Sequence, residues 1–473
     1  MKKVCLFFLF VNIIASTCFN ASAEVRLPAI IGNHMVLQQK SDVKLWGWCD
    51  PNEKIKVNLS VDTTNYNTVG NADGKWLLII KTPADGGPYT LTITGSNKIV
   101  LDDILIGETW VCSGQSNMEM NYSWGIKEYT QDVEKAENKR IRLFHIPRLT
   151  ASFPQDDTKG SWVICSPEEL KHFSLAGYFF GKKLQENLNV PVGLIESDWG
   201  GTPAEVWTPK EAIDENAVLK KVADSLKVIP WGPIREAATY HAMIYPITNF
   251  SIAGVIWYQG EANVENASTY QLLFSTMINS WRKAWDKNFP FYFVQIAPFS
   301  GYGNISGALL REAQTKTLMV PNTGMVVITD LVSDVKNIHP RDKKDVGERL
   351  ANLALSHTYG KPGFSSQYPI YKSMEVEKGK IKISFDDVEA GLMSKGNPLT
   401  EFYIAGADKA FYPANAKISG NNVIVWNNDV KSPVAVRFGF SNAAIPNLFS
   451  KNGLPVNIFR TDDWNDVNTI LPK

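Results

Sequence analysis

The chain has 473 residues, with 48 Lys and Arg balancing 48 Asp and Glu, and 44% hydrophobic residues. That length exceeds one ordinary domain, so two or three are expected. The even charge offers no basic face to nucleic acid or to an anionic membrane, and no apolar run is long enough for an integral membrane segment.

Lys2 and Lys3 precede an apolar stretch from Val4 to Ala15, and Ala21-Ser22-Ala23 supplies small residues for cleavage. This is the pattern of a secretory signal peptide cut after Ala23, so the expected location is secreted or periplasmic. Lipid attachment at Cys18 is the alternative, but Ala15-Ser16-Thr17 before it matches such a signal poorly. Beyond the leader remain Cys49, Cys112 and Cys165, which allow at most one disulfide and lack metal-binding spacing.

Residues 24–104 read as short alternating strands with turn punctuation: Val43-Lys44-Leu45-Trp46, Ile55-Lys56-Val57-Asn58-Leu59 and Tyr89-Thr90-Leu91-Thr92-Ile93. A small β-sandwich-like domain is expected there. Residues 105–362 change character. Apolar runs at 141–143, 192–195, 255–258, 291–296 and 325–328 alternate with helical stretches at 168–188, 270–285, 309–319 and 342–355. Near-continuous apolar strands are those buried on both faces, and their alternation with helices predicts a doubly wound parallel α/β sheet. Residues 363–473 return to alternation, as in Ile381-Lys382-Ile383-Ser384-Phe385, and form a C-terminal β-rich region.

Four motifs fall where such a sheet gathers ligands, beyond the carboxyl ends of its strands. Gly114-Gln115-Ser116-Asn117-Met118 follows the run Trp110-Val111-Cys112, so Ser116 reads either as a presented nucleophile or as a helix N-cap. In Glu196-Ser197-Asp198-Trp199-Gly200-Gly201-Thr202, the paired Gly200 and Gly201 suit an oxyanion hole or a plain tight turn. In Trp257-Tyr258-Gln259-Gly260-Glu261-Ala262-Asn263, Gln259 and Asn263 are candidate oxyanion donors, and Glu261 a candidate to orient a histidine or bind a substrate hydroxyl. Asn337-Ile338-His339-Pro340 places His339 in a loop after a strand, with His241 as its rival for the base.

Taken together, Gly114–Met118, Gly200-Gly201-Thr202-Pro203-Ala204-Glu205-Val206-Trp207, Val255-Ile256-Trp257-Tyr258-Gln259-Gly260-Glu261-Ala262-Asn263 and Ile338-His339-Pro340 resemble the sialate O-acetylesterase family of SGNH-type hydrolases. Phe291-Tyr292-Phe293-Val294-Gln295, Leu310-Arg311-Glu312-Ala313-Gln314 and Phe459-Arg460-Thr461-Asp462 extend the likeness over nearly the whole mature chain. The resemblance implies Ser116 as nucleophile and His339 as base. It implies an oxyanion site from Ser116, Gly200 or Gly201, and the Gln259–Asn263 loop, with no metal or organic cofactor. The implied reaction is carbohydrate O-acetyl ester hydrolysis, most readily on a sialate, and the implied partner is an O-acetylated sugar. Acetylxylan esterase activity is the alternative substrate reading, and a non-catalytic carbohydrate-binding protein the alternative of another class. A departure stands beside His339: the aspartate that many SGNH hydrolases carry three residues earlier is Lys336, and the position two earlier is Asn337. Glu261, Asp334 or a backbone carbonyl remains to orient the imidazole, with Glu261 ranked first. A sialate carboxylate calls for an arginine, and Arg235, Arg282 and Arg311 are the candidates.

Overall fold

The computed structural model describes residues 24–61 and 63–464. The expected signal peptide and Cys18 lie outside them. Seven strands build the central layer: β1 (Lys98–Gly114), β2 (Asn138–His145), β3 (Trp162–Cys165), β4 (Val192–Asp198), β5 (Gly254–Tyr258), β6 (Phe291–Val294) and β7 (Thr323–Val326). Their order across the sheet is β7-β6-β5-β1-β4-β2-β3. Every neighbouring pair is parallel except the edge pair of β2 and β3. Both β4 and β5 are buried along their whole length, which is why their sequences run apolar instead of alternating.

Five helices matter for the site: α1 (Ser116–Glu119), α2 (Leu175–Leu188), α3 (Ala267–Trp285), α4 (Ser306–Thr317) and α5 (Lys343–Leu353). One layer is made by α2 packed on α5, and another by α3 packed on α4. The helix expected over 168–188 is interrupted. A short turn, Pro167–Leu170, ends before Ser174, whose hydroxyl accepts from the Gly177 N–H at 3.0 Å and caps a new helix. That local competition by a serine side chain is the physical reason for the break. Chain order reverses at β1, since β4 lies on one side of it and β5 on the other. The crevice this opens is at the carboxyl end of β1, immediately before Ser116.

The boundary expected after residue 104 falls inside β1. The first half of this strand pairs with Gly86–Thr94, and Leu105 to Gly107 pair with Val36–Gln38. One apolar cluster accordingly runs from Val25 and Trp76 through Trp110 and Trp257 to Leu355, so the N-terminal strands and the α/β layers share a core. The strands after Ile370 hold a second cluster, from Ile381 to Phe459.

The C-terminal strands brace α4. Arg460 meets both oxygens of Glu312 at 2.8 and 3.0 Å, and Asn442 accepts from the Gly307 N–H at 2.9 Å while donating to the Tyr302 carbonyl at 2.9 Å. From α4, Gln314 donates to the carbonyls of Gln259 and Val294, both at 3.1 Å. The late Phe459-Arg460 segment thereby reaches the floor of the strand-end crevice through a single helix. Cys49, Cys112 and Cys165 are buried and free.

Candidate active site

Strand β1 ends in Gly114 with φ of 144°, and a methyl group on it would sit 2.2 Å from the Tyr258 carbonyl oxygen. Only glycine lets β1 and β5 approach this closely while the chain turns. The Gln115 N–H then donates to that carbonyl at 3.0 Å, and Ser116 opens the single turn α1. Gln115 holds the cap position and no side chain caps the turn, so the Ser116 hydroxyl is not spent on the helix. It lies 2.9 Å from His339 Nε2. The candidate nucleophile and candidate base, 223 residues apart, are thus in hydrogen-bond contact.

His339 sits on a loop stiffened by its own polar residues. Asp334 accepts from the Lys336 N–H at 2.9 Å, and Asn337 accepts from the His339 N–H at 3.0 Å, two Asx turns in succession. Arg341 then forks onto Glu128 at 2.5 and 2.8 Å, and the Trp124 ring stands edge-on to the imidazole with centroids 6.1 Å apart.

The orienting group differs from the sequence expectation. Glu261 bonds to Asn117 and not to the imidazole, and the Asp334 carboxylate serves its own turn. Among the described residues no carboxylate hydrogen-bonds to His339 Nδ1. The arrangement is a Ser–His pair whose imidazole is held by the loop and by Trp124.

Asn117, the residue after the nucleophile, was not singled out from sequence, yet it joins three parts of the site. Its Nδ2 donates to Glu261 Oε1 at 2.6 Å and to the Ile338 carbonyl at 3.1 Å, and its Oδ1 accepts from Lys343 Nζ at 2.6 Å. Lysine can only donate, whereas a carboxylate and a carbonyl accept, so the amide orientation is set by chemistry. Lys343 is wholly buried and lies 5.0 Å over the Tyr258 ring. Burial brings its ammonium down to about 7, and burial likewise pushes the Glu261 carboxyl up. Glu261 therefore reaches His339 only indirectly, through Asn117 and the Ile338 carbonyl.

His339 is held below the ordinary histidine value of 6.5, first by burial and then by the Lys343 charge. A base must be neutral to accept the serine proton, so a lowered value keeps the enzyme active further into mild acid. Lys343→Met removes one of the two causes. The acid limb of kcat/KM is expected to move to higher pH, toward 6.5, in a pH–rate series. An unmoved limb would show that Lys343 does not act on the base.

The oxyanion site also differs in part. Gly200 is beside the nucleophile, since a methyl on it would meet Ser116 Cβ at 3.2 Å. Its N–H, however, already donates to Glu119 Oε2 at 2.7 Å, and Glu119 Oε1 is held by Arg148. Among the described residues the N–H groups of Ser116 and Gly201 have no protein acceptor, so both are available to a developing negative charge. Gln259 spends both amide hydrogens inward, on the Thr202 carbonyl at 3.2 Å and on Asn263 Oδ1 at 2.7 Å. Asn263 in turn accepts from the Ala204 N–H at 2.9 Å and donates to Glu205 at 2.8 Å. Together the two amides tie the 199–205 loop to the strand-end motif; Gln259 has no amide hydrogen left, whereas Asn263 donates only the one bond to Glu205 and keeps a second hydrogen.

His241 is a core residue, with Nδ1 3.4 Å from the Ala151 carbonyl and Nε2 buried without a partner. Arg282 serves the carbonyls of Phe289, Pro321 and Asn322, and Arg311 is buried against the Gly307 and Ser441 carbonyls. Arg235 is exposed. The arginine tied to the nucleophile's own turn is Arg148, half-exposed, bonded to Glu119 and 5.7 Å from the Trp199 ring centre. No sequence signal marked it.

Residues 107–356 match the family model of carbohydrate esterases described as sialic acid-specific acetylesterase. The sialate O-acetylesterase of Mus musculus is 28% identical over 79% of this chain and 81% of its own, and that of Homo sapiens 28% identical over 77% of each. In three dimensions the chain is similar to a carbohydrate acetylesterase from Xanthomonas citri. The TM-score is 0.85 at 35% identity, covering 93% of this chain and 100% of that one.

Proposed function

Since the chain belongs to the carbohydrate esterase family of sialic acid-specific acetylesterases, we propose that it removes O-acetyl groups from sugars, with an O-acetylated sialic acid as its substrate. The observation that carries this reading is the 2.9 Å contact between Ser116 Oγ and His339 Nε2 at the strand-end crevice. His339 takes the hydroxyl proton as the Ser116 oxygen bonds to the acetyl carbon, and the carbonyl electron pair moves onto oxygen. The N–H groups of Ser116 and Gly201 receive that charge. Collapse breaks the bond to the sugar oxygen, which leaves with the proton held by His339. Water, activated by the same imidazole, then releases acetate and restores the serine. A non-catalytic binding protein has no use for this pair, and the contact speaks against that alternative.

The sialate assignment rests on the family and on the relatives in Mus musculus and Homo sapiens. We further propose export from the cytoplasm, supported by the Lys2–Lys3 and apolar leader with its Ala21-Ser22-Ala23 site. Acetate release from O-acetylated sialic acid and from acetylated xylan oligosaccharides tests the substrate. Release from the sialate is expected. Release from xylan alone would overturn the sialate assignment, and release from neither would overturn the esterase reading.

A further inference from the structure

Beside the nucleophile loop lies a pocket of about 380 Å³, lined by Gly201, Pro203, Lys227, Trp231, Ile234 and Glu265 among others. Trp231 stands 60% exposed over it. The pocket is contiguous with the catalytic site through the Gly200–Gly201 pair. Gly200 packs on Ser116, while a methyl on Gly201 would fall 2.3 Å from the Trp231 indole nitrogen. Gly201 has φ of 75°, so its missing side chain and its backbone shape both serve this close approach.

The loop that carries Trp231 is tied down. Trp199, the residue before Gly200, donates its indole N–H to the Trp231 carbonyl at 2.9 Å, and Ile229 and Gly232 bridge across the turn. An exposed indole, joined to the Ser116 turn through the Gly200–Gly201 pair, presents a flat apolar face with polar groups at its edge, here Lys227 and Glu265. A pyranose ring matches that surface, because its axial C–H groups cover an aromatic face while its hydroxyls reach the polar rim. The volume is near the lower end of ligand pockets, roughly 300 Å³ upward, which suits one or two sugar rings. Its two charged lining residues, Lys227 and Glu265, are of opposite sign and leave the rim without net positive charge, so a neutral sugar fits better than a carboxylate-bearing one.

We propose that this pocket binds the uncharged sugar unit adjacent to the acetylated one, so that the enzyme acts on acetylated residues within a glycan in preference to the free monosaccharide. This rests on the acetylesterase reading above and deepens it. The test compares kcat/KM of wild type and Trp231→Ala on an acetylated sialyl-oligosaccharide, the free acetylated sialic acid and p-nitrophenyl acetate. Because the Trp199 tether goes to the Trp231 backbone, it survives the substitution, and thermal unfolding verifies the fold. Wild type is expected to prefer the oligosaccharide over the free sugar. Trp231→Ala should lower that preference about tenfold, with Trp231→Phe restoring most of it. No preference in wild type, or an unchanged preference in Trp231→Ala, would overturn the pocket assignment while leaving the esterase intact. Failure of wild type on both sugars, with p-nitrophenyl acetate still cleaved, would overturn the sugar-esterase reading and the pocket with it.

Discussion

Ser116→Ala is expected to lower kcat for acetate release by about 10⁵-fold, with little change in substrate binding. The hydroxyl is the only atom group removed, and it is the one that His339 Nε2 meets at 2.9 Å. Without it no acyl-enzyme forms, and the N–H groups of Ser116 and Gly201 are left to act on a bound ester with water alone. His339→Ala should cost a similar factor, because nucleophile and base act as a unit. The double variant should then be no worse than either single one. Steady-state kinetics on the three variants check this. Independent, multiplying losses would show that the two residues do not share one step.

The second large effect is expected at Asn117, which is fully buried beside Ser116. Asn117→Asp keeps the shape and the bond to Lys343 but removes both Nδ2 hydrogens. The Ile338 carbonyl then loses its donor even if the raised Glu261 carboxyl keeps its proton and bonds to the new acid. With Ile338 released, the neighbouring His339 loses its fixed distance to Ser116, and a displacement near 1 Å costs on the order of 100-fold in rate. The loss should appear in kcat, with KM nearly unchanged, and the bell of the pH–rate profile should shift as the Lys343 environment changes. Asn117→Ala should be worse for stability, since it strands Glu261, Lys343 and the Ile338 carbonyl together. A fall in stability with full kcat would mean that Asn117 is structural and does not position the base.

The sheet was legible because burial on both faces writes itself as unbroken apolar runs. Val255-Ile256-Trp257-Tyr258 needs no partner information to be read as a central strand. The pairing of Ser116 with His339 was also within reach, since both lie in segments that follow strands of one sheet. What lay beyond reach depended on distant contacts. A lysine in the first turn of α5 normally reads as solvated, and nothing local reveals that Lys343 is buried against Tyr258 and Asn117. Amides such as Gln259 and Asn263 can donate or accept, and residue type alone cannot say that theirs point inward to Thr202, Ala204 and Glu205. The same holds for the Gly200 N–H, whose acceptor is Glu119, 81 residues away. The β1 strand hid the N-terminal boundary for a simpler reason: its 17 residues continue from one sheet region into the next without a turn.

The central claim is that Ser116, activated by His339, carries the acetyl group. Its most direct test is treatment of the protein with a fluorophosphonate, following acetate release and locating the adduct by peptide mass spectrometry. Activity is predicted to fall in step with a single adduct on Ser116, with His339→Ala labelling far more slowly. Complete labelling of Ser116 that leaves acetate release intact, or inactivation by an adduct elsewhere, would contradict it.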